Sequence, residues 1–145
     1  MNKDFGEELM SFRFEIDGDN FTSAGQASMS VKKSLGQLGI APDIIRKVSI
    51  AMYEGEINMV IHANGGTADV TIYSDTIKIF LQDTGPGIAD VDKAMQEGFS
   101  TAPDNIRSLG FGAGMGLPNM KRYTDYMLVE STVSVGTTVT MTVNY

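Results

Sequence analysis

Hydrophobic and polar positions along the chain follow two periods, and the switches between them divide it into elements. Phe12, Phe14 and Ile16 alternate with polar residues over 11–17, which predicts a half-buried strand. Asp17-Gly18-Asp19-Asn20 is turn chemistry. Ala24, Ala27, Val31, Leu35 and Leu38 then recur at helical spacing, with Thr22 or Ser23 placed to cap the start and Gly39 to end it. Pro42 suits the first turn of a long helix over 42–63, which stops at Asn64-Gly65-Gly66. Ala68, Val70 and Ile72, then Ile77, Ile79 and Leu81, alternate over 67–74 and 76–83. Little more than Ser74-Asp75 separates these two strands, so they predict a hairpin. A short helix over 91–97 follows, and then a stretch without period over 99–115, a length that in a compact domain usually carries function. Leu117, Met120 and Tyr123 mark one side of a helix over 116–123. A last hairpin pairs 126–132 with 137–144 around Ser134-Val135-Gly136. There is no internal repeat and no linker. This order predicts an α+β chain: a two-layer α/β sandwich with helices on one face of a mixed, mostly antiparallel sheet.

Composition narrows what such a chain can do. With 145 residues and 42% hydrophobic content, residues 1–145 can bury one sizeable core, so one domain is expected. No run of 18 apolar residues occurs and the N-terminus is polar and acidic, which argues against a membrane-spanning helix and a signal peptide. Zero cysteines exclude disulfides and thiolate metal sites and fit a cytoplasmic protein. The single histidine, His62, leaves too few imidazoles for a histidine-rich metal centre. A net charge of −7 opposes general binding to nucleic acid or an anionic membrane. Any phosphate must then be held locally, by backbone amides, a metal ion or a few basic side chains. Of the 16 glycines, seven cluster from Gly85 to Gly116.

Three motifs carry chemistry. Glu54, Asn58 and His62, spaced E-x-x-x-N-x-x-x-H, stack along one face of the long helix. Its other positions are nearly all apolar, so this face is expected to be largely covered, where a carboxylate and an amide need partners. The Asn58 oxygen suits a hard cation such as Mg²⁺ that also bridges phosphates. The same spacing also fits the solvated stripe of an ordinary amphipathic helix. Asp83 ends a strand on the inward parity of Ile77, Ile79 and Leu81, where its carboxylate could accept from an amino group. Gly85 and Gly87 then let the backbone approach a ligand, although Asp-Thr-Gly-Pro-Gly is also good turn chemistry by itself. Gly110, Gly112, Gly114 and Gly116 expose backbone N–H groups ahead of a helix, which suits phosphates. No Lys follows them as in G-x-x-x-x-G-K-[ST], and they do not open a βαβ unit as a dinucleotide fingerprint should. Thr137 shares inward parity with Val139, Met141 and Val143 and could reach Asp83 across the sheet; an inward Thr is also an ordinary strand residue.

In this order the motifs resemble the GHKL superfamily of ATPases and kinases, the ATP domains of gyrase, heat-shock chaperone, mismatch-repair and histidine-kinase proteins (the Bergerat fold). The resemblance covers nearly the whole chain. Its compact size, E-x-x-x-N-x-x-x-H and Phe99-Ser100-Thr101 are most similar to bacterial anti-sigma factor serine/threonine kinases. The Gly-x-Gly-x-Gly-x-Gly-Leu run with Pro118-Asn119-Met120-Lys121 is more like sensor histidine kinases. The resemblance implies ATP and Mg²⁺ as cofactors, Asn58 as the Mg²⁺ ligand and Glu54 as the general base. Asp83 would bind adenine with Thr137 in support, and Gly85 and Gly87 would shape the pocket. Gly112, Gly114 and Gly116 would lie against phosphates, with His62, Thr101, Arg107 and Leu117 in the same ATP site and a lid over about 88–115.

The function so implied is phosphorylation of a Ser or Thr on an antagonist (STAS-like) protein, with sequestration of a sigma factor. It also implies a homodimer, for which the 11–17 strand edge is a candidate contact, and no direct contact with nucleic acid or membrane. Two other readings stay open. One is the detached ATP-binding half of a histidine kinase, whose phospho-accepting histidine lies on another chain. The other is a non-catalytic, ATP-gated binding module, against which the presence of Glu54 speaks mildly.

Overall fold

Five strands share one sheet in the computed structural model, which describes residues 5–18, 24–63, 65–88, 90–95 and 116–145. They are β1 (Glu8–Asp17), β2 (Gly65–Tyr73), β3 (Thr76–Gln82), β4 (Tyr126–Thr132) and β5 (Gly136–Asn144), in the spatial order β1-β2-β3-β5-β4. All four ladders are antiparallel, so none of the described pairings is of the parallel kind that the sequence left room for. Helices α1 (Gln26–Gln37), α2 (Pro42–Ala63), α3 (Val91–Ala94) and α4 (Gly116–Arg122) complete the described elements. α2 packs along the sheet, with α1 and α4 each packed against it.

Register follows from the alternation. One inward row runs Phe12–Val70–Ile79–Met141–Met127, and the next runs Phe14–Ala68–Leu81–Val139–Val129. A one-residue slip would turn these rows to water, at about 1.5–3 kcal/mol for each buried aliphatic side chain, so the register is strongly determined. From the helix layer, Val31 and Leu35 of α1, Val48, Ala51, Met52 and Val60 of α2, and Leu117 and Met120 of α4 join the same core. The opposite sheet face carries polar rows such as Arg13 beside Asp69, paired at 3.8 Å on the surface.

The predicted elements recur with shifted ends. β1 begins at Glu8 rather than Ser11, because a register irregularity between Glu8 and Met10 breaks the alternation there and leaves Leu9 and Met10 exposed. β2 begins at Gly65, not Thr67: the glycines that end α2 also pair, with Asp17 and Ile16 of β1. The β2–β3 turn is Ser74-Asp75 as expected. α3 is assigned over 91–94; the last two residues predicted for it, 96 and 97, lie outside the described residues. Leu38, predicted on the buried stripe of α1, is its C-cap and 40% exposed.

The start of α1 is held differently from the expectation. Thr22 and Ser23 lie outside the described residues, and the N-cap is Gly25, which has no side chain to offer; the first turn carries no acidic residue either. The carboxylate comes instead from α2. Glu56, 2% exposed, accepts from Gly25 N at 2.7 Å and Ala27 N at 3.3 Å through Oε2, and from Ser28 N at 3.1 Å through Oε1. Backbone donors at a helix start have no intrahelical partner, and the helix dipole favours an anion there. A buried carboxylate is tolerable because the partners it needs are the donors that α1 must satisfy.

Glu56→Ala should therefore lower stability by about 3–5 kcal/mol, since it leaves buried donors unpaired and opens a cavity. The urea midpoint of the variant against the native chain, at unchanged slope, measures this; a loss under about 0.5 kcal/mol would show that water or another group takes over the cap.

Candidate functional site

The polar stripe of α2 meets α4. The two helices run antiparallel, so residues four apart on α2 meet residues three apart on α4. Gly116 lies against the Asn58 amide: a Cβ there would stand 3.0 Å from both its Oδ1 and its Nδ2. One turn on, Asn119 Nδ2 donates to Glu54 Oε1 at 3.4 Å, and Arg122 Nη1 reaches Asn119 Oδ1 at 3.5 Å. Glu54, Asn58 and His62 are each half-buried, so the face is less covered than the apolar surroundings suggested. Between them, Gly55 admits Leu81 of β3 and Met120 of α4 into contact with the helix backbone, which sets how closely α2 lies on the sheet. Burial at His62 pushes its pKa below the ordinary 6.5.

The turn after β3 forms the second half. Asp83 Oδ1 accepts from Gly85 N at 2.9 Å and from Thr137 N at 3.2 Å, while Asp83 N donates to Thr137 O at 3.0 Å. One carboxylate oxygen is thus fixed by backbone donors, and Oδ2 makes no hydrogen bond among the described residues. Thr137 reaches Asp83 as predicted, but through its backbone; its hydroxyl is paired with Ser131 Oγ at 2.8 Å. Ser131 Oγ in turn accepts from Ile88 N at 2.6 Å, and Ser134 N donates to Pro86 O at 2.8 Å, so the β4–β5 hairpin holds the turn from below. Gly87 sits at φ +79 with the Thr132 carbonyl where a Cβ would go, a conformation and a contact that both need glycine. Gly85 is pressed on the end of α2: a Cβ there would lie 2.6 Å from Ala63 Cβ.

Gly116, the last glycine of the run, thus meets the stripe on α2 at Asn58, and the Asp83 turn meets the same helix at Ala63, next to His62. Leu117 is 7% exposed within the core cluster, where it anchors α4. Thr101, Arg107, Gly112 and Gly114 lie outside the described residues. Sequence reading missed Asn119, Ser131 and Glu56. Asn119 carries a signal, being three residues from Gly116 and so on the same face of α4. Glu56 lies off the four-residue stripe, and Ser131 has no local signal at all.

Among the described residues no three His, Asp or Glu side chains converge as a metal site. A hard cation such as Mg²⁺, which commonly takes one or two protein oxygens with phosphate and water for the rest, fits the half-buried Asn58 amide beside a glycine. No helix among the described residues is long and apolar enough to cross a membrane.

A family model described as "Histidine kinase-, DNA gyrase B-, and HSP90-like ATPase" matches residues 45–145. The protein named "Anti-sigma F factor" of Priestia megaterium is 33% identical over 119 residues, 77% of this chain and 78% of that protein. Its namesake in Clostridium novyi (strain NT) is 33% identical over 121 residues, 79% of this chain and 81% of that one. Among solved structures, a mycobacterial sensor histidine kinase, MprB, shares the fold with a TM-score of 0.53 at 16% identity, covering 93% of this chain and 97% of that one.

Two outcomes are expected from the geometry. Gly85→Ala should cost about 1–3 kcal/mol in thermal or denaturant unfolding, as overpacking typically does, because Ala63 is helix backbone and cannot swing away. The depressed pKa of His62 makes the unfolded chain the better proton acceptor below 6.5. Stability tied to neutral His62 should then be complete above that pH and decline as the pH falls below it. A His62→Gln variant should lack that part of the decline when the two stability–pH curves are compared for slope.

Proposed function

The chain belongs to the histidine kinase-, DNA gyrase B- and HSP90-like ATPase family, and on that premise we propose that it is a single-domain, Mg-ATP-dependent protein kinase of the anti-sigma regulatory type. Its acceptor is a serine or threonine of an antagonist protein. The observation that supports this most directly is the meeting of Glu54 and Asn58, one turn apart, with the face of α4 that follows the glycine run. A carboxylate, a hard oxygen donor and a phosphate-binding segment are what phosphoryl transfer needs at one place.

In this reading Asp83 accepts the adenine amino group at Oδ2 while its Oδ1 stays locked on Gly85 and Thr137, which makes the base pocket rigid before ATP arrives. Gly85 and Gly87 keep side chains out of that pocket. His62 lies on the same stripe between the adenine and phosphate ends. Gly112, Gly114 and Gly116 offer backbone N–H groups to the phosphates, and Thr101, Arg107 and Leu117 belong to the same ATP site. Asn58 would hold Mg²⁺, which would supply positive charge against the phosphates. Glu54 takes the proton of the acceptor hydroxyl as its oxygen attacks the γ-phosphorus and the bond to ADP breaks.

The relatives' name, anti-sigma F factor, supports a sigma factor as the partner that the protein sequesters; the antagonist that it phosphorylates is the second partner of this reading. A homodimer through the open edge of β1 and a cytoplasmic location complete the proposal. The net charge of −7 supports protein partners over nucleic acid.

Calorimetric titration with ATP tests the pocket. The native chain should bind in a Mg²⁺-dependent manner. Asp83→Asn should weaken binding by about 1.5–3 kcal/mol, the usual worth of a hydrogen bond to a charged group, and Asn58→Ala should abolish the Mg²⁺ dependence. Lack of ATP binding by the pure native chain would remove the kinase reading.

A further inference from the structure

We propose that Asn119 is the positioning residue for Glu54, that Arg122 sets the orientation of its amide, and that Glu54 therefore takes its proton at Oε2. This rests on the reading of Glu54 as general base. Asn119 Nδ2 donates to Glu54 Oε1, and the far side of the same amide, Oδ1, faces the guanidinium of Arg122. The two contacts agree on which way the amide points. Turned over, its oxygen would face a carboxylate and its NH₂ a guanidinium, two repulsive pairs in place of two attractive ones.

Asn119 is not needed to hold α4 in place. Leu117 and Met120, at 7% and 1% exposure, bind that helix to the core, and Gly116 sits on Asn58. Pro118 lies in the first turn of α4, where its missing N–H costs nothing. What Asn119 does contribute is a restraint on a side chain with three rotatable bonds. Glu54 is half-buried, so several rotamers are open to it, and only some aim an oxygen at an incoming hydroxyl. A donor on Oε1 restricts them and leaves Oε2 as the basic atom. Protonation at Oε2 leaves Oε1 an acceptor, so the hydrogen bond survives the transfer and the carboxyl stays aimed throughout. Because α4 follows directly on the glycine run, the arrangement of that run and the aim of the base are linked through one short helix.

The experiment uses the full chain with Mg-ATP and follows phosphate released by hydrolysis, in which water stands in for the acceptor hydroxyl and gives up its proton to the same base. Asn119→Leu should lower kcat about tenfold while KM for ATP stays within about twofold, the signature of lost aim rather than lost binding. In a Glu54→Gln background the same substitution should change kcat less than about twofold, since there is no base left to aim. Asn119→Asp, which sets a negative charge against Glu54, should move the acidic limb of the kcat–pH profile to higher pH, a change that loss of packing does not produce. Arg122→Gln should give a smaller loss of kcat in the same direction, and none on top of Asn119→Leu. Unchanged kcat in Asn119→Leu, or losses that simply multiply in the double variant, would overturn the positioning role. Unchanged kcat in Glu54→Gln alone would instead overturn the base assignment beneath it, and circular dichroism of each variant separates both results from misfolding.

Discussion

Residues 54 to 58 of α2 meet four demands in five positions, and the rest of the molecule is arranged around them. Successive helical residues are turned by about 100°, so Glu54, Gly55, Glu56 and Asn58 face different neighbours. Glu54 looks to Asn119 of α4, Gly55 to Leu81 and Met120, Glu56 to the start of α1, and Asn58 to Gly116. Two carboxylates two residues apart therefore do unlike things. One is sealed at 2% exposure by three backbone donors and holds α1; the other is half-buried and meets a neutral amide through one oxygen. Chemical identity does not separate them; direction on the helix does.

That arrangement explains why α1 and α4 both depend on α2. α1 has no cap of its own, and its first turn is completed from another element. α4 is seven residues long, too short to be stable from backbone hydrogen bonds alone, and is held by Leu117 and Met120 in the core with its polar face against α2. The family model over residues 45–145 takes in α4 and all of α2 from Ile45 onward.

The other half of the site obeys a sheet rule. Asp83 leaves β3 on the inward parity of its strand, and β5 alongside supplies the donor that fixes it, so adjacency in the sheet brings positions 83 and 137 together across 54 residues of chain. The turn that follows is then pinned by Ser131 and the Ser134 backbone of the closing hairpin. Rigid placement of this kind is what the adenine contact proposed for Asp83 would draw on. In a protein with net charge −7, long-range attraction cannot gather phosphates. In the proposed site, local backbone donors and a cation would do it.

What the sequence by itself determined is everything that depends on period and order. α2 occupies 42–63 as its apolar spacing and Pro42 predict, the hairpin turns at Ser74-Asp75, and Asp83 and Thr137 come out on the inward parity of their strands. These signals are local, carried by residues within one or two turns of each other. What only the tertiary structure decided are the pairings between elements. Glu56 is two residues from Glu54 and off its four-residue stripe, and nothing in the sequence gives it a role until the start of α1 is seen to rest on it. Thr137 was legible as a neighbour of Asp83, but that its backbone makes the bond while its hydroxyl goes to Ser131 depends on the depth of one strand against another. Asn119 gains its meaning only because α4 lies antiparallel to α2, so that a spacing of three on one meets a spacing of four on the other. Hydrogen bonds between distant elements are set by how packed surfaces interlock, to within fractions of an ångström, and a one-dimensional pattern of polar and apolar residues carries no record of that depth.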